Sequence, residues 1–247
     1  MRDLKCAPLR AILIEKPPKG DLIPGLLPED GIAILTAAPK VGKTMLASQA
    51  ALAVQEGRSF LGFPAGPKRR VLYCDGQSRS HELDRRFRLL AADAEDPFGL
   101  EFCQEKLQLA NEGDIDALID CVKEAEYGLV IIDPLSDYIG GIDENDAGSM
   151  SKPLHGLQRL QNETGVALLV IAHASKSDSH GRIAAKTRGS NAITAIGSTL
   201  MVLSSAGKKG KLAIEQRHAA TSSISLQRRA DGFWERDSKE VQLSQAA

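Results

Sequence analysis

Apolar residues recur along this chain at two alternating periods. Residues 31–36 form a short apolar run suited to a buried strand, and 43–55 then carries Met45, Leu46, Ala50, Leu52 and Ala53 at helical spacing. The alternation continues with a strand at 70–74 and a helix at 80–92, where Ser80 is placed to cap and Leu83, Phe87 and Leu90 share a face. A helix at 114–126, a strand at 129–133, a helix at 150–164 and a strand at 166–172 follow. Strands separated by helices predict an α/β fold whose mostly parallel sheet is flanked by helices on both faces. The tail changes character: short runs at 200–203, 211–215 and 224–227, joined by turn-rich pieces, predict antiparallel strands added at the sheet edge. Four prolines within residues 1–29 mark that stretch as an extended lead-in packed along a single domain spanning 1–247.

Composition narrows the classes. With 31 basic and 32 acidic residues the net charge is -1, so a polyanionic partner must be met by a local basic patch. No apolar run approaches the roughly 20 residues that span a bilayer, and residues 1–10 are too polar for a secretory leader, so the expectation is a cytoplasmic protein without membrane contact. The four cysteines (Cys6, Cys74, Cys103, Cys121) lie far apart without a CxxC pair, which favours buried reduced thiols over a disulfide framework or a zinc site.

The first strand runs directly into Ala37-Ala38-Pro39-Lys40-Val41-Gly42-Lys43-Thr44, with Met45 opening the helix beyond. This fits the phosphate-loop pattern GxxxxGK[ST] except that Ala37 stands for the first glycine. Backbone N–H groups from Ala38 to Met45 would cradle the β-phosphate of ATP, Lys43 would reach the β- and γ-phosphates, and the Thr44 hydroxyl would ligate Mg²⁺. Gly42 permits close backbone approach, and Ala37 serves at the loop entrance if its φ stays negative. Four apolar residues end in Asp133 before Pro134, the pattern of a buried strand that delivers a magnesium-orienting carboxylate to its C-terminal edge.

Several stretches together resemble the RecA-like P-loop ATPases of hexameric-helicase type, plasmid replication helicases of the RepA kind in particular. They are residues 22–25, 37–44, 71–77 with 82–86, 129–135, 143–146, 170–176 and 188–190, in family order. The resemblance implies an ATP- and Mg²⁺-using ATPase that assembles with itself as a ring or filament, a hexamer by analogy. It also implies action on single-stranded DNA in replication or maintenance of a plasmid or mobile element. In that family the second strand ends in an acidic residue, often Asp-Gly-Glu, whose glutamate polarises the attacking water; here the stretch reads Asp75-Gly76-Gln77. An amide orients water but accepts no proton, which removes a contribution of typically 10²–10⁴-fold. Either Asp75, two residues away on an extended segment and so on the same side, substitutes for it, or the protein binds ATP as a switch with little hydrolysis. The reading favours weak hydrolysis over none.

The resemblance also makes His173 a γ-phosphate sensor and Arg217 an arginine finger reaching the neighbouring subunit, although Glu215 stands where the family carries a lysine. Residues 175–190 hold Lys176, Arg182, Lys186 and Arg188 against Asp178 alone, a basic loop that would neutralise nucleic-acid phosphates but has no aromatic residue for base stacking. Asp137, Asp143, Glu144 and Asp146 make the stretch after Asp133 acidic and unsuited to nucleic acid. A non-catalytic, nucleotide-dependent assembly switch is the alternative function. A metabolite P-loop kinase fits less well, since no Arg-rich lid is evident and strands occupy the last third.

Overall fold

The computed structural model describes residues 20–78, 80–93, 100–144, 146–173, 191–217 and 220–237. A small antiparallel pair, β1 (Asp21–Ile23) and β2 (Leu27–Pro28), precedes the main sheet. The sheet contains β3 (Ile32–Ala37), β4 (Arg70–Asp75), β5 (Leu100–Cys103), β6 (Tyr127–Asp133), β7 (Ala167–His173), β8 (Thr199–Ala206), β9 (Lys209–Gln216), β10 (Ser222–Arg228) and β11 (Trp234–Arg236). Its strand order is β11-β10-β9-β8-β3-β7-β6-β4-β5. The helices are α1 (Lys43–Glu56), α2 (Ser80–Asp93), α3 (Glu112–Ala125), α4 (Ala147–Thr164) and α5 (Asn191–Ile196), with a 3-10 turn at Leu135–Tyr138.

Strand period and layer architecture agree. Along β3, Ala33 and Leu35 enter the core on one face while Ile32 and Ile34 enter the core on the other, and β6 divides likewise between Leu129/Ile131 and Val130/Ile132. Successive side chains of a strand point to opposite faces, so a strand covered on both sides must be apolar throughout. One core holds α1 with the β1–β2 hairpin, whose Leu22, Ile23, Leu26 and Leu27 are all buried. The other holds α3 and α4 through Ile115, Leu118, Ile119, Met150, Leu154 and Leu157.

The α/β expectation holds, with refinements at its margins. Of the tail strands, β8 runs parallel to β3 with Ala33 opposite Thr199, and only its outer edge pairs antiparallel, with β9. Strands β9, β10 and β11 complete the antiparallel extension. The lead-in expected to be extended through residue 29 contains the β1–β2 hairpin, which packs its apolar side on the core. Strand β5 escaped the pattern reading because all four of its residues are half-buried at the sheet margin, with no alternation to betray them. Helices α3 and α4 begin earlier than expected, because Asn111 and Asp146 accept backbone N–H bonds and supply the caps. Ser80 is the first helical residue of α2 rather than the residue before it.

Cys74 and Cys103, remote in sequence, are register partners on β4 and β5, and Cys121 is exposed. The expectation of three uniformly buried thiols is therefore corrected; Cys6 lies outside the described residues. No helix among the described residues is long and apolar enough to cross a membrane.

Candidate nucleotide site

Parallel register brings the C-terminal ends of β3, β7, β6 and β4 to one edge of the sheet. Ala37 lies opposite His173, and Asp75 lies opposite Asp133. In open α/β sheets this edge is where ligands bind. Ala37 ends β3 without the positive φ that would have demanded glycine there. The loop then turns through left-handed backbone at Lys40 (φ 63°) and Gly42 (φ 105°) before α1 begins at Lys43. Ala38, Pro39 and Lys40 are exposed, whereas Val41 and Gly42 are half-buried. A Cβ on Gly42 would stand 3.0 Å from Trp234 Nε1, so both conformation and space require glycine.

Lys43 is buried, and its ammonium donates to the carbonyls of Ala37 (2.9 Å) and Ala38 (3.4 Å), bent back over the loop. Burial pulls its pKa below the ordinary lysine range, against the opposing charges of Asp133 and Glu144. The half-buried Thr44 donates its hydroxyl to Asp133, and its carbonyl accepts from Ser48 Oγ at 2.8 Å. Asp133 is buried and also accepts from Tyr73 Oη at 2.6 Å. Burial pushes the Asp133 carboxyl up, and the hydroxyl bonds from Tyr73 and Thr44 pull it back only in part. A buried acid held by neutral hydroxyls lacks the countercharge that such burial ordinarily requires.

That donor set suits Mg²⁺. One hydroxyl and one carboxylate are hard oxygens, and magnesium is commonly held by one or two protein oxygens with substrate phosphates and waters completing its shell. Among the described residues no group of three or more His, Cys, Asp or Glu gathers as a self-sufficient metal site. Thr44 and Asp133 would therefore hold the ion together with the phosphates.

Asp75 and Gln77 diverge. The expectation that they share one side presumed an extended segment, but β4 stops at Asp75 and the chain bends at Gly76 and Gln77. The Asp75 carboxylate is buried against the Arg86 guanidinium and accepts from the amides of Gln77 (3.2 Å) and Ser78 (2.8 Å) and from Ser78 Oγ (2.8 Å). Its oxygens are committed to holding the bend and α2, which corrects the reading of Asp75 as a substitute for the missing glutamate. Gln77 is exposed, and its Nε2 donates to Asp137 Oδ1 at 3.0 Å.

His173 is half-buried at the end of β7 beside Ala37, adjacent to the phosphate loop. Arg217 lies at the other edge of the sheet. Gln216 pairs with Thr199, which pairs with Ala33 near the start of β3, and Arg217 Nη2 donates to the carbonyls of Ala195 (3.0 Å) and Gly197 (3.3 Å). A phosphate reached by Arg217 would thus belong to another copy of the chain. Lys176, Arg182, Lys186 and Arg188 lie outside the described residues.

Several residues near the site were not singled out by sequence. Glu144, read as part of an acidic loop, is buried and acts electrostatically on Lys43. Arg228 and Trp234 reach the loop because β10 and β11 carry them to its end of the sheet. The Arg228 guanidinium lies over the Trp234 ring at 5.7 Å, and Trp234 Nε1 points at the Gly42 carbonyl at 3.4 Å. Beside Met45 a 480 Å³ cleft is lined by Arg85, Arg86, Arg228 and Arg229 among others, a cationic extension of the phosphate loop. The Arg-rich stretch at 82–86 was the one available signal.

Fold and site together define a RecA-like P-loop ATPase domain of the helicase type. The model of the AAA domain family matches residues 4–179, and the chain belongs to that family. Among solved structures it is similar to the ATPase domain of a helicase, with a TM-score of 0.62, 13% sequence identity and coverage of 84% of each chain. No curated protein sequence matches it.

Proposed function

We propose that this protein binds Mg²⁺·ATP at the edge formed by β3, β6 and β7 and hydrolyses it slowly, as a self-assembling, helicase-like ATPase acting on single-stranded DNA. The observation that carries the reading is the convergence of Lys43, Thr44 and Asp133 behind a loop whose backbone only glycine satisfies at position 42. The likeness to a helicase ATPase domain supports hydrolysis. The bound ion would bridge phosphate oxygens and neutralise charge that develops as the γ-phosphoryl group leaves. Lys43 exchanges its carbonyl partners for phosphate oxygens, loop amides fix the β-phosphate, and His173 reads the γ-position from the adjoining strand. Arg85, Arg86, Arg228 and Arg229 surround the path by which the rest of the nucleotide leaves the loop.

Assembly supplies what one chain lacks. Arg217, at the edge away from its own phosphate loop, would serve a neighbour's site, where an arginine finger raises rates by about 10³–10⁵. Lys176, Arg182, Lys186 and Arg188 would contact DNA phosphates, so binding should weaken steeply with added salt. Gln77 favours a second reading, a switch that binds ATP to set its assembly state without hydrolysis. ATP turnover measured with and without single-stranded DNA, alongside sizing with and without Mg²⁺·ATP, separates them. DNA-stimulated turnover in an oligomer supports the first; an ATP-dependent oligomer without turnover supports the second.

A further inference from the structure

The end of β4 carries no glutamate, but it is not without a carboxylate. Gln77 leaves β4 and Asp137 sits in the 3-10 turn that follows β6, and the two side chains are hydrogen-bonded from Gln77 Nε2 to Asp137 Oδ1 at 3.0 Å. Both ride on strand ends that are tied together: the Gly76 amide donates to the Asp133 carbonyl at 3.0 Å, and the Asp137 amide donates to the Pro134 carbonyl at 3.2 Å. Gly76 makes the approach possible, since a Cβ there would fall 2.7 Å from Asp137 Cβ. Ser136 Oγ also donates to Asp137 Oδ1, at 3.1 Å, so this oxygen is fixed by two donors, while Oδ2 accepts no hydrogen bond among the described residues. The bond fixes the sense of the Gln77 amide as well. Its nitrogen faces Asp137, so its carbonyl oxygen faces the other way and is available to accept from water.

We propose that Gln77 and Asp137 form a split water-activating pair in which the amide carbonyl orients the attacking water and the Asp137 carboxylate takes its proton. The inference rests on the ATPase reading above and deepens it. The two ends of an amide are separated by one carbon, so a water held at the Gln77 carbonyl lies beside the carboxylate that the same amide engages. In the step, the water oxygen bonds to the γ-phosphorus and one water proton passes to Asp137. The bond from that phosphorus to the β,γ-bridging oxygen breaks, ADP leaves with the bonding pair, and Asp137 returns its proton to solvent. Asp75, spent on Arg86 and Ser78, is excluded from this role by geometry.

The test compares the full-length parent with Asp137→Asn and with the exchange variant Gln77→Glu/Asp137→Asn, which keeps the hydrogen bond and moves the carboxylate across it. Asp137→Asn is expected to lower kcat about 100-fold, the low end of a general-base contribution, with ADP affinity unchanged. Its affinity for ADP–aluminium fluoride, which mimics the transferring phosphoryl group with its attacking water, should fall about tenfold. The exchange variant should recover most of both losses, which a purely structural role for Asp137 would not produce. Parental turnover in Asp137→Asn, equal loss of ADP and ADP–aluminium fluoride binding, or no recovery in the exchange variant would each overturn the proposal. So would turnover abolished by Glu144→Gln but not by Asp137→Asn, or a parent that binds ATP without hydrolysing it. Failure of the parent to take up Mg²⁺·ATP would strike the underlying ATPase reading instead.

Discussion

Two aspartates end neighbouring strands in register, Asp75 on β4 and Asp133 on β6, and they are 3% and 4% exposed. Their surroundings set them to opposite tasks. For Asp75, burial alone would raise the pKa, but the hydrogen bond from Arg86, with those from Ser78, outweighs it and holds the carboxyl below its usual range. For Asp133, burial prevails over the hydroxyls of Tyr73 and Thr44, and the carboxyl is pushed up. A buried acid beside a full positive charge is complete as it stands. One beside hydroxyls alone is stabilised further by a cation, and a phosphate loop at its shoulder specifies which kind. The same strand-end residue type, one strand apart, thus serves structure in one case and metal binding in the other.

The sharpest way to break this contrast is to remove the countercharge. Arg86→Met strands Asp75 as a buried, unpaired carboxylate, and breaking a buried pair in this way costs about 3–5 kcal/mol. Denaturant unfolding should register that loss, and Arg86→Met/Asp75→Leu should recover much of it. The sign of the pH dependence follows from the lowered folded-state pKa. The stability contributed by Asp75 is present above its unfolded value, about 3.9, and is lost as pH falls through the lower folded value. Acid unfolding below about pH 4 should therefore be less steep in Asp75→Asn than in the parent.

A smaller effect is expected at Asp133. Tyr73→Phe deletes the 2.6 Å hydroxyl bond and should cost about 1.5–3 kcal/mol, the range for hydrogen bonds to charged groups. Because a cation compensates for the missing donor, Mg²⁺·ATP should restore part of this stability, and no such rescue should occur in Arg86→Met. Thermal melts with and without Mg²⁺·ATP check both statements. Smaller still is Gly42→Ala. Left-handed backbone costs a residue with a Cβ about 1–2 kcal/mol, and the new methyl would crowd Trp234 Nε1. Nucleotide affinity should drop in this variant while the Asp75–Arg86 corner keeps its stability, measured by nucleotide titration and unfolding side by side.

The sequence made one half of the contrast legible and concealed the other. Lys43, Thr44 and Asp133 could be read directly because phosphate and magnesium demand those residue types at a strand end and a helix start, and local order along the chain places them. The role of Asp75 depends on Arg86, eleven positions further on and brought back by the first turns of α2; spacing alone did not show the chain bending at Gly76. Arg228 and Trp234 were hidden for a related reason, since their position beside Gly42 depends on the register of β8, β9, β10 and β11. The alternation of strands and helices was readable throughout the parallel region, where strands buried on both faces are continuously apolar. It failed at β5 and β11, where short, partly exposed strands leave no periodic signal.

The claim on which all of this depends is that Lys43, Thr44 and Asp133 hold a magnesium-bound triphosphate, and calorimetric titration with Mg²⁺·ATP tests it most directly. Saturable binding by the parent is expected, weakened about 10- to 100-fold in Lys43→Ala by loss of a charge-assisted hydrogen bond worth about 1.5–3 kcal/mol. Equal affinity in parent and variant, or no heat of binding in the parent, would contradict the account.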